Sequence, residues 1–288
     1  CNRRIILMTN WKDDYINVNG IKIHYYRTGG DKPPVVLNHG VMDDGLCWTR
    51  VAKELESDYD VIMLDARGHG FSDSGNGDYK SETRAKDVAE VIQALNLEKP
   101  VVGGHSLGAE VSIHLAANYP ELPRAIFLED PPIAMPGEPM FGGPIGEMGD
   151  GALKMMATVM KIIKFLPIFL GKIVAKKMMP VSPDDEIIPW INSKKRFSSD
   201  LLKSMAEEPE ALVPSPFEAV EKVKVPTLLL MGDREKGSIV SEEVAKKMKT
   251  LLPGLQVTHL AGANHDIRRS KFEEYMTALR NFLAETYR

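Results

Sequence analysis

The chain has 288 residues, 43% hydrophobic and 26% charged, with a formal net charge of −4 and a pI near 6.0. This balance excludes a disordered chain, and it offers no basic stripe of the kind that holds nucleic acid. Its two cysteines, Cys1 and Cys47, cannot build a disulfide framework and fit a reducing, cytoplasmic setting; no uninterrupted apolar run reaches the roughly 18 residues of a membrane span.

The segment 1–7 ahead of Met8 reads as a leader, with a lipid-modified Cys1 as the alternative. "YINV" (15–18) and "IKIHYY" (21–26), separated by Asn19-Gly20, predict a hairpin. Six further runs predict strands: "PVVLNH" (34–39), "DVIMLD" (60–65), "PVVGGH" (100–105), "RAIFLE" (124–129), "TLLLMG" (227–232) and "LQVTHL" (255–260). Most are apolar throughout, as strands covered on both faces are. Between them, Val88, Val91, Ile92 and Leu95 recur at helical spacing, as do Phe272, Tyr275, Met276, Leu279 and Phe282 behind a Ser270/Glu273 capping box. The alternation predicts an α/β fold with a mostly parallel eight-stranded sheet and helices on both faces.

Residues 131–215 break that rhythm. A stretch rich in Pro, Gly and Met (130–151) precedes helical segments near 151–166, 168–179, 184–193 and 199–208, the third capped by Ser182 with Pro183 at its first position. The expected division is therefore a core of 8–130 and 216–288 carrying a helical insertion at 131–215.

The chemistry centres on "VVGGHSLGAE" (101–110), where Gly104, Ser106 and Gly108 give a G-x-S-x-G spacing. A chain turning sharply from a buried strand into a helix needs small residues on both sides of the turn. The turn presents Ser106 at the C-terminal edge of the strand, with the amide of Leu107 aimed where an oxyanion forms. Alternatively, this is a glycine-rich strand–helix turn whose serine merely caps the helix.

A serine hydroxyl needs a base, and the base needs an orienting acid. Of seven histidines, His24, His114 and His259 read as packing residues, His69 as a turn residue, and His105 as pointing away from its neighbour Ser106. His265, in "AGANHDIRR" after the last strand, lies at the sheet edge where ligands bind in open α/β folds, and is the expected base. Asp233, in "LLLMGDREKG", follows a buried strand on the same edge and is the expected acid; Asp130 and Glu129 are its rivals. No H-E-x-x-H or paired-cysteine spacing offers a metal site.

These motifs resemble the α/β-hydrolase superfamily over nearly the whole chain outside 131–215. Ser106, Asp233 and His265 follow the family's Ser…Asp/Glu…His order. "HG" at 39–40 matches its oxyanion loop, which implies the amide of Val41 as the second donor, and "DARGHGFSD" (65–73) matches the loop after its fourth strand. The resemblance implies that 131–215 is a lid, or cap. It also implies a cofactor-free serine hydrolase acting on a small-molecule carboxylic ester, of the carboxylesterase and lipase kind. Carbon–carbon bond hydrolases, lactonases, perhydrolases and hydroxynitrile lyases share the same triad, and a ligand-binding regulator that keeps the triad is the alternative from another class. Oligomeric state is left open, a homodimer included.

Within 152–179 there are six lysines and no acid, and Lys154, Lys161 and Lys164 fall within an arc of about 80°. Three readings stand side by side: a solvated lysine face over a buried apolar one, contact with an anionic membrane surface, or an acyl pocket lined by Met155, Met156, Met160, Phe165 and Phe169. Met155 and Phe165 are the expected substrate-binding residues.

Overall fold

The computed structural model describes residues 10–143, 151–178, 184–207 and 217–288. Segment 1–7 and the Ser182/Pro183 cap lie outside these residues, as do the side chains of Lys154 and Met156.

All eight predicted strands form: β1 (Lys12–Val18), β2 (Ile21–Arg27), β3 (Pro34–Asn38), β4 (Asp60–Leu64), β5 (Val101–His105), β6 (Ala125–Glu129), β7 (Thr227–Met231) and β8 (Gln256–His259). They make one sheet in the order β1-β2-β4-β3-β5-β6-β7-β8. The β1–β2 and β2–β4 pairs are antiparallel and the others parallel. Asn19 and Gly20 both take positive φ, 48° and 77°, which a two-residue hairpin turn requires.

Every residue of β4, β5, β6 and β7 is buried, because successive side chains leave opposite faces of the sheet and both faces are covered. Val36, Ile62, Val102 and Leu229 meet α2 (Ser81–Ala94), α3 (Leu107–Asn118) and α9 (Glu242–Leu251) on one face. Their neighbours Val35, Val61, Val101 and Leu228 meet α1 (Thr49–Leu55) and α11 (Phe272–Thr286) on the other. The stripe of Tyr275, Met276, Leu279 and Phe282 is buried as its spacing predicts. The capping box ahead of it does not form: Ser270 closes the short helix α10 (Ile267–Ser270) and its hydroxyl donates to the Asp266 carbonyl at 3.1 Å.

Between β6 and β7 the chain forms α4 (Gly151–Phe165), α5 (Ile168–Met178), α6 (Asp184–Arg196) and α7 (Ser199–Glu207), followed by α8 (Phe217–Glu221). Ile163, Ala175, Ile187, Trp190 and Ile191 pack α4, α5 and α6 together. Met160, Phe197 and Leu201 reach down to Tyr79, Val41 and Met42, so these helices rest on the loop that follows β3. Ion pairs tie α6 to the same region: Lys194–Asp43, Arg196–Asp44, and Glu186 with Arg50 and Arg269.

Candidate active site

The serine turn is built by close approach of backbones. A Cβ on Gly104 would lie 2.4 Å from the Gly108 carbonyl carbon, and one on Gly108 would lie 2.1 Å from the Asn38 carbonyl oxygen. Glycine at both positions lets α3 press against β5 and β3. Ser106 itself takes φ 52° and ψ −121°, a conformation that a side chain adopts only where packing holds it, at a typical cost of about 1–3 kcal/mol. Its amide donates to the Glu129 carbonyl at 2.8 Å, locking the turn to β6. Ser106 is buried, at 8% exposure.

His265 lies on the loop between β8 and α10, and its Nδ1 is 2.6 Å from Oδ2 of Asp130. Asp130 directly follows β6 and is fully buried, with φ 44°. Its carboxylate also accepts the Ser238 hydroxyl at 2.7 Å and the amides of Ile239 and Val240 at 2.8 and 3.0 Å. An ionised carboxylate can only accept, so Nδ1 of His265 carries the proton and Nε2 is the acceptor. Burial alone would lower the imidazole pKa. The hydrogen bond and charge of Asp130, helped by Asp266 and Glu129, outweigh burial and raise it above its ordinary 6.5.

Asp233, the expected acid, does not touch His265. Its Oδ1 meets Nε2 of His259 at 2.7 Å, and its Oδ2 accepts the Gly262 amide at 2.8 Å. The Asp233 amide donates to the Ala263 carbonyl at 2.9 Å, which fixes the residue along the turn after β8. Asp130 wins by position: His105 pairs with Glu129 in the β5–β6 register, so Ser106 and Asp130 leave adjacent strands at the same level. The other rival, Glu129, is taken by Arg268 at 3.2 Å.

The two expected oxyanion donors sit on structured backbone. The Leu107 amide opens α3, where a helix leaves its first N–H groups without an internal acceptor. Val41 lies in a loop braced from several sides. The Ala66 amide donates to Nε2 of His39 at 3.0 Å, so Nδ1 of His39 is protonated and donates to the Gly40 carbonyl at 2.8 Å. Nε2 of His69 lies 2.9 Å from the Val41 carbonyl, and Nζ of Lys194 donates to the Met42 carbonyl. His105, beside the serine, donates from Nε2 to the His265 carbonyl at 3.0 Å and so fixes the histidine loop.

Met155 and Phe165 are not brought to this edge. They are 39% and 75% exposed, because the inward stripe of α4 is Ala157, Met160 and Ile163. Phe165 instead borders an outer groove of about 520 Å³ between α4 and α7, with Lys161, Lys164 and Leu202.

Beneath the site lies a buried ionic cluster that sequence reasoning missed. Asp43 contacts Arg268, Arg269 and Lys194 at 3.4, 3.1 and 3.5 Å. Burial would raise its pKa, but the three cations hold it far below the usual carboxylate range. Burial pushes Lys194 down to about 8. Among the described residues, Asp43, His105 and Asp266 form the one group spaced to hold a metal ion. Asp43 is already neutralised by three cations and Asp266 by Arg269 at 2.6 Å, so the donor set suits no further cation. The signal for this cluster was the "RR" at 268–269, two arginines directly after the histidine loop.

The edge carries a hydroxyl on a strained turn and an imidazole whose Nδ1 is held by a saturated buried carboxylate, which leaves Nε2 as the acceptor. Such a set can relay a proton to and from an attacking oxygen. Residues 33–145 match the model of the α/β hydrolase fold family. The chain is 27% identical to N-formylmaleamate deformylase of Pseudomonas putida, over 93% of this chain and 95% of that one. It is 26% identical to Lipase 1 of Psychrobacter immobilis, over 86% of this chain and 76% of that one. Among solved structures, an esterase from Exiguobacterium antarcticum superposes with a TM-score of 0.75 at 20% identity, covering 95% of this chain and all of that one.

Proposed function

The chain belongs to the α/β-hydrolase superfamily, and from that premise we propose that it is a cofactor-free serine hydrolase of carboxylic esters, with Ser106, His265 and Asp130 as its triad. His265 takes the Ser106 proton on Nε2 as the hydroxyl oxygen attacks the substrate carbonyl. The amides of Val41 and Leu107 stabilise the oxyanion, each worth on the order of 10²–10³ in rate. The imidazolium then protonates the leaving alcohol, and the acyl group stays on Ser106. Water, deprotonated by the same Nε2, releases the acid. Asp130 holds the tautomer and stabilises the imidazolium without itself taking a proton. In this reading the helices between β6 and β7 are the lid over the substrate, and Met160 replaces Met155 and Phe165 as the residue on its inner face.

The observation that carries the proposal is the 2.6 Å His265–Asp130 hydrogen bond, with Asp130 leaving β6 level with a serine held at positive φ on the adjacent strand. A second reading, amide hydrolysis by the same triad, is favoured by the relatives. One is named a deformylase of N-formylmaleamate, and another, 25% identical over 89% of this chain, is 2-(acetamidomethylene)succinate hydrolase of Mesorhizobium japonicum. A panel of p-nitrophenyl esters from short to long acyl, run beside N-formyl and N-acetyl amides and a β-diketone, separates the two. Ester turnover that Ser106→Ala abolishes supports the first reading. Amide turnover without ester turnover supports the second, and cleavage of the diketone alone overturns both.

A further inference from the structure

We propose that the outer face of α4 and α5 is a docking surface for an anionic lipid membrane. Among the described residues, every exposed large apolar side chain except Tyr15 belongs to this pair of helices. Phe165 is 75% exposed, Phe169 and Ile173 are each 66%, and Ile162 is 54%. Monomeric proteins rarely expose this many large apolar side chains within one short stretch without a partner for them.

Charge identifies the partner. Residues 151–178 contain six lysines and no aspartate or glutamate, in a chain whose net charge is −4. On α5, Phe169, Lys172, Ile173 and Lys176 share an arc of about 100°, so the cationic and apolar groups occupy one face and are not segregated to two. On α4, Lys161 lies exposed beside Ile162. A lipid surface accommodates that mixture: rings and branched chains enter the acyl boundary while lysine stems lie along it and bring their ammonium groups to anionic headgroups. A second copy meeting this face about a two-fold axis would set lysine against lysine, which opposes a homodimer here. The inward side of α4 places Met160 against Val41 and Met42, so a docked membrane would lie on the far side of the helix that rests on the site.

The test is co-sedimentation of the full chain with vesicles of phosphatidylcholine alone and with phosphatidylglycerol added. The expected result is binding to the anionic vesicles only, released by high salt. Lys161→Gln, Lys172→Gln and Lys177→Gln combined should weaken it on the order of a hundredfold. Phe169→Ser with Ile173→Ser should weaken it by a similar factor, while circular dichroism and turnover of a soluble ester stay unchanged. Failure to bind anionic vesicles overturns the proposal, and so does equal binding to neutral ones. Salt-independent self-association in solution that Ile173→Ser abolishes, without vesicle binding, assigns the face to a second copy instead.

Discussion

In the proposed triad, one proton on His265 governs the chemistry. The imidazole must be neutral to accept from Ser106, and its pKa is raised above 6.5, chiefly because Asp130 outweighs burial. A raised pKa keeps the ring protonated to higher pH. The acidic limb of kcat/KM is therefore expected to have its midpoint above 6.5 and to fall away below it. In Asp130→Asn, burial acts without the carboxylate, so the midpoint should move down while the plateau drops by about 10⁴. A pH–rate profile of the two proteins measures both effects, and an unmoved midpoint would refute Asp130 as the partner that sets the His265 pKa. The placement of Ser106 and His265 at the sheet edge was legible in the sequence, because each follows a recognisable strand and lies among turn residues. The choice of acid was not. Asp233 and Asp130 both end buried strands in the chain, and only the register of β5 with β6 shows which carboxylate shares a level with the serine.

The elements carry two kinds of constraint, backbone contact and buried charge. Gly108 lets α3 touch the end of β3, where an added Cβ would fall 2.1 Å from a backbone oxygen that has no flexible end to move. Gly108→Ala should cost on the order of 1–3 kcal/mol and lower kcat more than it raises KM, since the shift displaces the Leu107 amide. Gly151→Ala, with no described residue within 4 Å of the added methyl, should leave both unchanged within error. Urea unfolding and steady-state kinetics on the two variants make the comparison. Arg268 is fully buried and joins Glu129 to Asp43. Arg268→Leu strands those carboxylates and should cost about 3–5 kcal/mol, and adding Glu129→Leu should recover a large part of it. The strands and most helices were readable from apolar runs and helical spacing. This cluster was not, because its members come from four separate segments and each looks like a surface charge in its own sequence.

At the scale of the molecule, the sheet order brings the ends of β3, β5, β6 and β8 to one edge, and the helices between β6 and β7 rest on that edge through Met160 and α6. Composition indicated a globular chain, the alternation of apolar runs with helical spacing an α/β one, and the break at 131–215 where helices enter. Which face of those helices turns inward was misjudged for Met155 and Phe165, because α4 is apolar on more than one side. Among the described residues no helix is long and apolar enough to cross a membrane, so the exposed face of α4 and α5 concerns a surface and not a span.

Labelling with a serine-directed phosphonate asks whether Ser106 is a nucleophile driven by the His265–Asp130 pair. Mass spectrometry would locate the label, and its rate would be compared across the wild type, Asp130→Asn and Asp233→Asn. A single label on Ser106 is expected, formed at least a hundredfold more slowly in Asp130→Asn and at nearly the wild-type rate in Asp233→Asn. Label on another residue, or slowing by Asp233→Asn with Asp130→Asn unaffected, would contradict the proposed triad.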